Sequence, residues 1–223
     1  MAEAPDPDDA PVVLDRQPGV SGELVLRRQR GHHELVVDGS FLMDTRDGRS
    51  ERLLARAALD AAASPRRVLV GGLGMGFTLT EVLADHRVQQ VTVAEIEPVL
   101  LSWHKRFLGG LTGGALADPR TTVQVGDVVE VVEAAAPASW DAVCLDVDNG
   151  PDWLARPQNA RLYGTSGVAA LARALDPGGA LAVWSAAPAP ALEARLREAF
   201  ADVRVLRPPS RTSQPDWVVV GSR

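Results

Sequence analysis

The chain has 223 residues, of which 46% are hydrophobic, and this length suffices to bury one full core. Its formal net charge of −6 argues against a nucleic-acid binder, because a surface that tracks phosphates needs clustered Lys and Arg. The single cysteine, Cys144, excludes an intrachain disulfide framework. No apolar run reaches transmembrane length and the start is acidic, so we expect a cytoplasmic protein that does not bind membranes.

The N-terminal part is predicted to contain two segments. Residues 1–20 are rich in Pro, Asp and Ala and show no periodicity, which predicts a disordered tail. Residues 21–48 carry short alternating runs around turns at Gly31 and Asp38-Gly39, which predicts a small β-hairpin region. Hairpins of this size are not stable alone, so we expect this region to pack on the main domain or on a second subunit.

Residues 49–223 are predicted to form the main domain, a doubly wound α/β sheet. Short β-branched runs alternate with helical patterns, and the last two strands indicate an antiparallel edge. The helix after the first of these strands carries a capping-box pattern, Thr78 followed by Glu81. Strands are predicted at residues 67–70, 91–94, 121–125, 141–145, 180–184, 203–206 and 217–220, and helices at residues 50–63, 78–83, 98–108, 164–175 and 191–201.

A glycine-rich turn after the first of these strands is the most informative motif. Gly72, Gly74 and Gly76 let the chain turn sharply and let a ligand approach the backbone closely. A dinucleotide fingerprint needs glycine at its sixth position, where this chain has Phe77. The remaining G-x-G-x-G pattern is the form found in class I S-adenosylmethionine (SAM) enzymes. Glu95 ends the next strand about twenty residues later, where an acid conventionally bonds ribose hydroxyls.

Two further carboxylates follow predicted strand ends. Asp127 comes after the third strand of the domain, and Asp146 comes directly after the fourth. The carboxyl ends of parallel strands meet at one edge of a sheet, and ligands of doubly wound folds bind at that edge. We therefore expect these acids to share a nucleoside site with the glycine turn and Glu95. The predicted fold is a Rossmann-like class I SAM-dependent methyltransferase fold with a small N-terminal β-hairpin region.

The same motifs carry a family resemblance. Residues 68–83 resemble the nucleoside-binding segment of the spermidine synthases, the polyamine aminopropyltransferases, whose pattern is close to VLIIGGGDGGTLREVL. Residues 95–98, Glu-Ile-Glu-Pro, resemble the family's EIDP, and Gly126-Asp127 resembles its GD. Asp146 is similar to the first acid of the family's D-[ST]-x-D-P loop. The similarity covers roughly residues 22–184, which is most of the chain.

The resemblance implies a role for each matching residue. Glu95 would bind the ribose hydroxyls, Asp127 would lie near the adenine amine, and Asp146 would be the base that prepares an amine nucleophile. It also implies a homodimer formed through the N-terminal hairpins. The ligand is expected to be SAM or decarboxylated SAM, and the residues predicted to bind it are Gly72, Gly74, Met75, Gly76, Glu95, Ile96, Asp127, Val128 and Asp146.

Several positions depart from the family pattern. Met75 replaces the aspartate of GGGDGG, which is expected to hold the aminopropyl ammonium of decarboxylated SAM. Asn149 replaces the second acid of the catalytic loop, and Leu42 replaces the glutamine after the LDG turn. Residues 51–53, Glu-Arg-Leu, stand where the family has Tyr-Gln-Glu along the amine channel. These departures favour methyl transfer from intact SAM over the synthesis of spermidine.

The leading hypothesis is an enzyme that moves a methyl group from SAM to a small acceptor, with an amine as one candidate acceptor. The alternatives are aminopropyl transfer from decarboxylated SAM, cyclisation within SAM itself, and a non-catalytic nucleoside-binding protein. A sulfonium is already an activated leaving group, so the protein must supply only alignment and a proton acceptor. Between free groups, moving a proton from an alkylamine to an aspartate costs roughly 9 kcal/mol. The cavity must therefore desolvate the predicted base, Asp146.

The loop after Asp146 supplies the candidate acceptor-binding residues, which are Asp148, Asn149, Trp153 and Tyr163. The two aromatic side chains could close the cavity and exclude water. Adjacent Asp148 and Asn149 could both offer oxygen ligands to a cation. The end of the next strand, however, carries no carboxylate, so we predict no metal ion at this site.

Overall fold

The protein contains two β-sheets in the part of the chain described by the computed structural model, residues 10–208 and 216–223. The first sheet is antiparallel and has four strands in sequence order. These strands are β1 (Val12–Pro18), β2 (Glu23–Gln29), β3 (His32–Val37) and β4 (Ser40–Asp44). The turns fall at the predicted glycines, and Arg30 and Asp38 beside them also adopt positive φ. The predicted β-hairpin region is thus a complete small sheet.

Strand β1 corrects the prediction of a disordered tail over residues 1–20. Residues 1–9 lie outside the described range, but residues 12–18 pair antiparallel with β2. The Asp15 carboxylate accepts hydrogen bonds from Trp103 Nε1 and Arg106 Nη1, each at 2.9 Å. These partners lie far along the chain, so tertiary contacts stabilise a strand that its polar local sequence does not indicate.

The second sheet has seven strands in the order β10-β11-β9-β8-β5-β6-β7. Strands β5 to β9 are parallel, and β11 pairs antiparallel with both β9 and β10. This order confirms the predicted doubly wound α/β fold. The strands are β5 (Arg67–Gly71), β6 (Gln90–Glu95), β7 (Thr121–Val125), β8 (Trp140–Leu145), β9 (Leu175–Ser185), β10 (Asp202–Leu206) and β11 (Trp217–Ser222).

Helices cover both faces of the seven-stranded sheet. They are α1 (Arg49–Ala61), α2 (Phe77–Ala84), α3 (Pro98–Trp103), α4 (Val128–Ala134), α5 (Ala160–Tyr163), α6 (Thr165–Ala174) and α7 (Pro190–Ala199). A π-helical turn, His104–Leu108, continues α3. None of the helices in the described ranges has the length and apolarity needed to cross a bilayer.

The interior consists of two apolar clusters, one on each face of the seven-stranded sheet. Val68 and Val70 of β5 face the cluster formed with α1, α2, α3 and the small sheet, while Leu69 faces the cluster formed with α4, α6 and α7. Residues 68–70 of β5 are therefore all apolar, as is typical of a parallel strand that is buried on both faces. Because Leu24 and Leu35 of the small sheet belong to the first cluster, that sheet packs directly on the main domain.

Helix α2 begins differently from the prediction. It starts at Phe77 after a left-handed Gly76 with φ 84°, and no side chain caps its N-terminus. The predicted capping box is therefore wrong. The Thr78 hydroxyl instead donates to Asp146 at 3.1 Å, and Glu81 pairs with Arg56 at 2.8 Å. Both side chains of the pattern are thus engaged by other parts of the fold.

Candidate active site

The carboxyl ends of β5, β6, β7 and β8 surround one cavity of about 320 Å³. It lies where strand order reverses between β5 and β8, the usual ligand site of doubly wound sheets. Met75, Gly76, Trp153 and Tyr163 do not line this cavity. The predicted site residues that do line it are Gly72, Gly74, Glu95, Ile96, Asp127, Val128, Asp146, Asp148 and Asn149.

The glycine turn brings backbone to the cavity wall at a point where a side chain does not fit. Gly72 has φ 88°, and a Cβ atom there would lie 2.2 Å from the Asp146 carbonyl oxygen. Its amide donates to the Ala94 carbonyl at 2.9 Å, which fixes the turn between two strand ends. The sequence analysis missed His104, whose buried ring nitrogen Nε2 lies 2.9 Å from the Gly74 carbonyl oxygen.

Glu95 is buried at the end of β6 and bonds the glycine turn. Its two carboxylate oxygens accept hydrogen bonds from the Leu73 and Glu97 amides, each at 2.7 Å. Burial raises the pKa of Glu95, and these backbone hydrogen bonds oppose that rise. Each carboxylate oxygen can accept a second hydrogen bond, so the group can still receive a pair of ribose hydroxyls.

Glu97, another residue that the sequence analysis did not select, ties the small sheet to the cavity. Its carboxylate accepts hydrogen bonds from the Val20 amide at 2.8 Å and the Ser21 amide at 2.7 Å. Ser21 itself lines the cavity. The small sheet continues this wall with the apolar side chains Leu24, Leu35, Val37, Leu42 and Met43. The predicted hairpin region therefore forms part of the site.

Asp127 caps helix α4 and forms an ion pair at the cavity rim. One oxygen accepts the Val129 amide at 2.9 Å, and the other accepts Arg156 Nη1 at 2.9 Å. The guanidinium of Arg156 thus binds the carboxylate that the resemblance places near the adenine amine. Arg156 also lines the cavity, and no pattern near it in the sequence indicated this contact.

Asp146 follows the last residue of β8 and lines the cavity. The Thr78 hydroxyl donates to one oxygen at 3.1 Å. Desolvation, followed by the like charges of Glu51 and Asp216, raises the pKa of Asp146 to about 7. A carboxyl group with this pKa changes protonation state near neutral pH, as a general base must.

Glu51 brings a second carboxyl group to the same cavity from helix α1. The Ser50 hydroxyl donates to Glu51 Oε2 at 2.7 Å. Burial raises the pKa of Glu51 despite this hydrogen bond. The sequence analysis noted Glu51 only as a departure from the family pattern, because nothing local indicates its proximity to Asp146.

Asp148 lines the cavity, but its carboxylate is saturated by the loop that follows β8. It accepts hydrogen bonds from the Ala155 amide at 2.6 Å, Asn159 Nδ2 at 2.9 Å and the Tyr163 hydroxyl at 2.8 Å. Three donors inside the protein leave little capacity for an acceptor molecule. Asp148 therefore mainly anchors the loop after β8. Asn149 also lines the cavity.

Four further positions correct the predicted site. Tyr163 is buried in the core with only its hydroxyl paired, and Trp153 is 68% exposed on the outer side of its loop. Neither residue closes the cavity. The Met75 side chain is 2% exposed and packs in the apolar core, so it cannot contact the ligand tail as predicted. Gly76 faces His104 and Thr112 behind the turn.

The remaining reactive groups contribute little to the site. Cys144 is buried in β8, and burial raises the pKa of its thiol to about 12, so it is not a nucleophile near neutral pH. Within residues 10–208 and 216–223, no three His, Cys, Asp or Glu side chains are grouped so that they could hold a metal ion. The carboxyl groups that line the cavity can take part in proton transfer.

Comparison with known proteins identifies relatives of most of the main domain. Residues 49–197 match the sequence model of the family described as "Spermine/spermidine synthase domain". The chain is 34% identical over 170 residues to the polyamine aminopropyltransferase of Mycobacterium tuberculosis, covering 74% of this chain and 31% of that protein. It is 30% identical over 148 residues to spermidine synthase 1 of Pisum sativum, covering 65% of this chain and 42% of the relative.

A methyltransferase also occurs among the relatives. The putrescine N-methyltransferase 3 of Nicotiana tabacum is 30% identical over 151 residues, covering 65% of this chain and 37% of that protein. The chain thus spans less than half the length of these relatives.

Solved structures agree on the fold. The spermidine synthase of Thermotoga maritima superposes with a TM-score of 0.81 at 19% identity, covering 95% of this chain and 72% of that one. A spermidine synthase in complex with the transition-state analogue AdoDATO gives a TM-score of 0.82 at 18% identity, with coverage of 95% and 73%. With the family match over most of the main domain, the chain belongs to the spermine/spermidine synthase family and has its class I SAM-methyltransferase-like fold.

Proposed function

We propose that the protein transfers an aminopropyl group from decarboxylated SAM to an amine acceptor. The observation that carries this proposal is a desolvated carboxyl group, that of Asp146, with a pKa of about 7 in the same cavity as the glycine turn, Glu95 and Asp127. The relatives named as aminopropyltransferases and spermidine synthases support the aminopropyl group over the methyl group that the sequence departures favoured.

The nucleoside half of the donor fits the side of the cavity formed by β5, β6 and β7. Gly72 lets the turn pack closely against the Asp146 backbone at the cavity wall, and Glu95 retains lone pairs for two ribose hydroxyls. Adenine would lie toward Asp127, whose carboxylate oxygens can each accept a second hydrogen bond beside those from Val129 and Arg156. A guanidinium can stack on an aromatic face, so Arg156 offers the adenine ring a second favourable contact.

The acceptor half fits the side formed by β8 and the small sheet. An alkylammonium has a pKa near ~10.4, so its proton transfer to a free aspartate costs roughly 9 kcal/mol. Transfer to a carboxylate with a pKa of about 7 lowers this cost to roughly 5 kcal/mol before any desolvation of the amine. The amine lone pair then attacks the carbon next to sulfur, the C–S bond breaks, and its electrons neutralise the sulfonium as a thioether.

Methyl transfer from intact SAM is the second candidate, and the position of Met75 favours it. Met75 has an apolar side chain that is buried in the core, so this position supplies no carboxylate for the ammonium of decarboxylated SAM. The tobacco methyltransferase relative supports the same candidate. Cyclisation within SAM and non-catalytic nucleoside binding are the remaining alternatives. The nucleoside product that is formed distinguishes them from group transfer.

The test is to incubate the protein with each donor, with and without an aliphatic diamine, and to identify the nucleoside product. Aminopropyl transfer yields 5′-methylthioadenosine from decarboxylated SAM only when the amine is present. Methyl transfer yields S-adenosylhomocysteine from SAM, and cyclisation yields 5′-methylthioadenosine from SAM without any amine. Binding with no product would identify a non-catalytic protein and overturn the proposal.

A pair of variants ties the reaction to the cavity. Asp146→Asn removes the base and should slow amine-dependent product formation by roughly 10² to 10⁴, while Asp152→Asn removes an exposed acid of the same loop and should leave the rate unchanged. Equal loss in both variants would indicate damage to the loop rather than loss of the base. The homodimer implied by the resemblance stays a prediction, which sedimentation of the purified protein measures.

A further inference from the structure

The acceptor end of the cavity contains a carboxyl pair contributed by two distant elements. Asp146 ends strand β8, and Glu51 projects from the first turn of α1 into the same cavity. Each carboxyl group receives one hydroxyl donor from a neighbour, Thr78 for Asp146 at 3.1 Å and Ser50 for Glu51 at 2.7 Å. Neither hydroxyl neutralises a charge, so the two carboxylates repel each other when both are ionised.

The surroundings of the pair are acidic or neutral on the elements that face it. The basic residues beside Glu51 on α1 are directed elsewhere, with Arg49 paired to Asp47 and Arg52 lying over Phe77 and toward Glu81. The ionisable groups that act on the pair from the other described elements are Asp216 before β11 and Asp47 before α1. The charge of Asp146 in turn acts on Cys144 in β8 and Tyr163 in α5.

We infer that Glu51 is the second carboxylate of the proton acceptor, and that the proton taken from the amine is held between Glu51 and Asp146. This inference rests on the proposed transfer to an amine. A lone buried carboxylate would be a weaker base, because it would lack the repulsion that protonation relieves. Glu51 thereby makes Asp146 basic enough to deprotonate an ammonium group, and it selects an acceptor that arrives with a positive charge.

The charges balance through the reaction. The ionised pair carries two negative charges, and the acceptor enters as R–NH₃⁺ beside the donor sulfonium. One proton moves from the ammonium to the pair, which leaves a neutral amine and a singly charged, hydrogen-bonded pair. The amine nitrogen forms the new N–C bond as the C–S bond breaks, so the positive charge passes from sulfur to the product nitrogen. Release of the shared proton to water restores the pair.

Glu51→Gln tests this inference because it keeps the side-chain shape and removes only the charge. The pH profile of kcat/KM for the amine should keep its acid limb, but the limb should move to lower pH by about one unit. At its plateau, kcat should fall by about three- to tenfold, since the remaining base is weaker. The KM for the amine should rise while the KM for the nucleoside donor stays constant.

The matched control is Glu198→Gln, which removes an exposed carboxylate of α7 outside the cavity and should leave the profile unchanged. An acid limb that stays in place in Glu51→Gln, with the control also unchanged, would overturn the inference. If Glu51→Gln does not fold, Ser50→Ala keeps Glu51 and removes its hydrogen bond. That variant should move the limb to higher pH, and an unmoved limb would again contradict the pair.

A second measurement does not depend on turnover. The free energy of unfolding should decrease as pH rises from 5 to 8, because the folded protein must ionise the second carboxyl group against repulsion. This decrease should be smaller in Glu51→Gln than in the unmodified protein. If the free energy of unfolding changed with pH in the same way in both proteins, the proposed interaction between Glu51 and Asp146 would be refuted, even in an active enzyme. If no donor and amine react, the proposed function fails, and these curves still decide whether the pair exists.

Discussion

The hydrogen-bonded network around Asp148 provides a stringent test of the site geometry. Its carboxylate accepts hydrogen bonds from the Ala155 amide, Asn159 and the Tyr163 hydroxyl at 2.6 to 2.9 Å. Asp148 is 8% exposed, and Asn159 and Tyr163 are each 4% exposed. Because the network folds the loop after β8 back onto α5, we expect Asp148 to stabilise the protein more than it assists the reaction.

The expected loss in Asp148→Ala follows from those contacts. A hydrogen bond to a charged group contributes about 1.5 to 3 kcal/mol, and the variant leaves three donors, two of them buried, without this acceptor. Burial raises the pKa of Asp148, which shows that desolvation of the carboxylate offsets part of this gain. We therefore expect a net loss of roughly 2 to 4 kcal/mol in the free energy of unfolding. Tyr163→Phe removes one donor and should cost about 1 to 2 kcal/mol.

The assay is urea unfolding of the two single variants and the double variant. Tyr163→Phe should cost little once Asp148 is absent, so the cycle should give a coupling energy of about 1 to 2 kcal/mol. Asp152→Ala, an exposed change in the same loop, should stay within about 0.5 kcal/mol of the unmodified protein. A loss below about 1 kcal/mol in Asp148→Ala, or strictly additive effects, would refute this account of the loop.

Three other changes test separate parts of the site. Asp146→Asn should lower turnover by roughly 10² to 10⁴ in single-turnover assays. The raised pKa of Asp146 means that its contribution to stability is complete below its ordinary pKa of 3.8 and is lost as pH rises through about 7. Relative to the unmodified protein, the variant should therefore gain stability between pH 5 and pH 8, by at most about 3 kcal/mol; a loss over this interval would contradict the sign. Met75→Asp should destabilise the core by roughly 3 kcal/mol or more in thermal unfolding, and an unchanged transition would mean that this side chain faces solvent or the cavity. Glu97→Ala should speed amide hydrogen exchange at Val20 and Ser21, and unchanged exchange there would exclude the tether.

Much of the fold follows from local patterns in the sequence. The strands of the seven-stranded sheet are short β-branched runs, and their order in the chain with intervening helices predicts a doubly wound topology. Glu95, Asp127 and Asp146 lie together because each follows a parallel strand, so the strand assignment alone predicts their common edge. Gly72 was also predictable, since a tight turn beside a ligand site needs a residue without Cβ.

The missed features depend on contacts between distant parts of the chain. Strand β1 is stabilised through Asp15, whose partners Trp103 and Arg106 are 88 and 91 residues away. Arg156 reaches Asp127 across 29 residues. No periodicity or spacing near these residues indicates such pairs. A composition rich in Pro and Asp therefore predicted disorder where a strand forms.

Local patterns also misled where tertiary contacts compete with them. Thr78 and Glu81 have capping-box spacing, but Gly76 begins the helix in a left-handed conformation. Thr78 therefore lies beside Asp146, and its hydroxyl donates a hydrogen bond to that carboxyl group instead of capping the helix. Met75 aligns with a ligand-binding acid of the family, yet its apolar side chain is more stable in the core than at a polar cavity wall.

The two-residue spacing of Glu95 and Glu97 links nucleoside binding to closure of the cavity. The Glu97 amide donates to the Glu95 carboxylate, while the Glu97 carboxylate accepts the amides of Val20 and Ser21. Under the proposed function, a nucleoside that draws Glu95 toward its ribose would act on the same short segment that positions the start of the small sheet. That sheet supplies apolar side chains to the cavity wall, so its position would affect the water around Asp146. Because desolvation is the largest cause of the raised pKa of Asp146, the N-terminal sheet would influence the proposed proton transfer without contributing a reacting group.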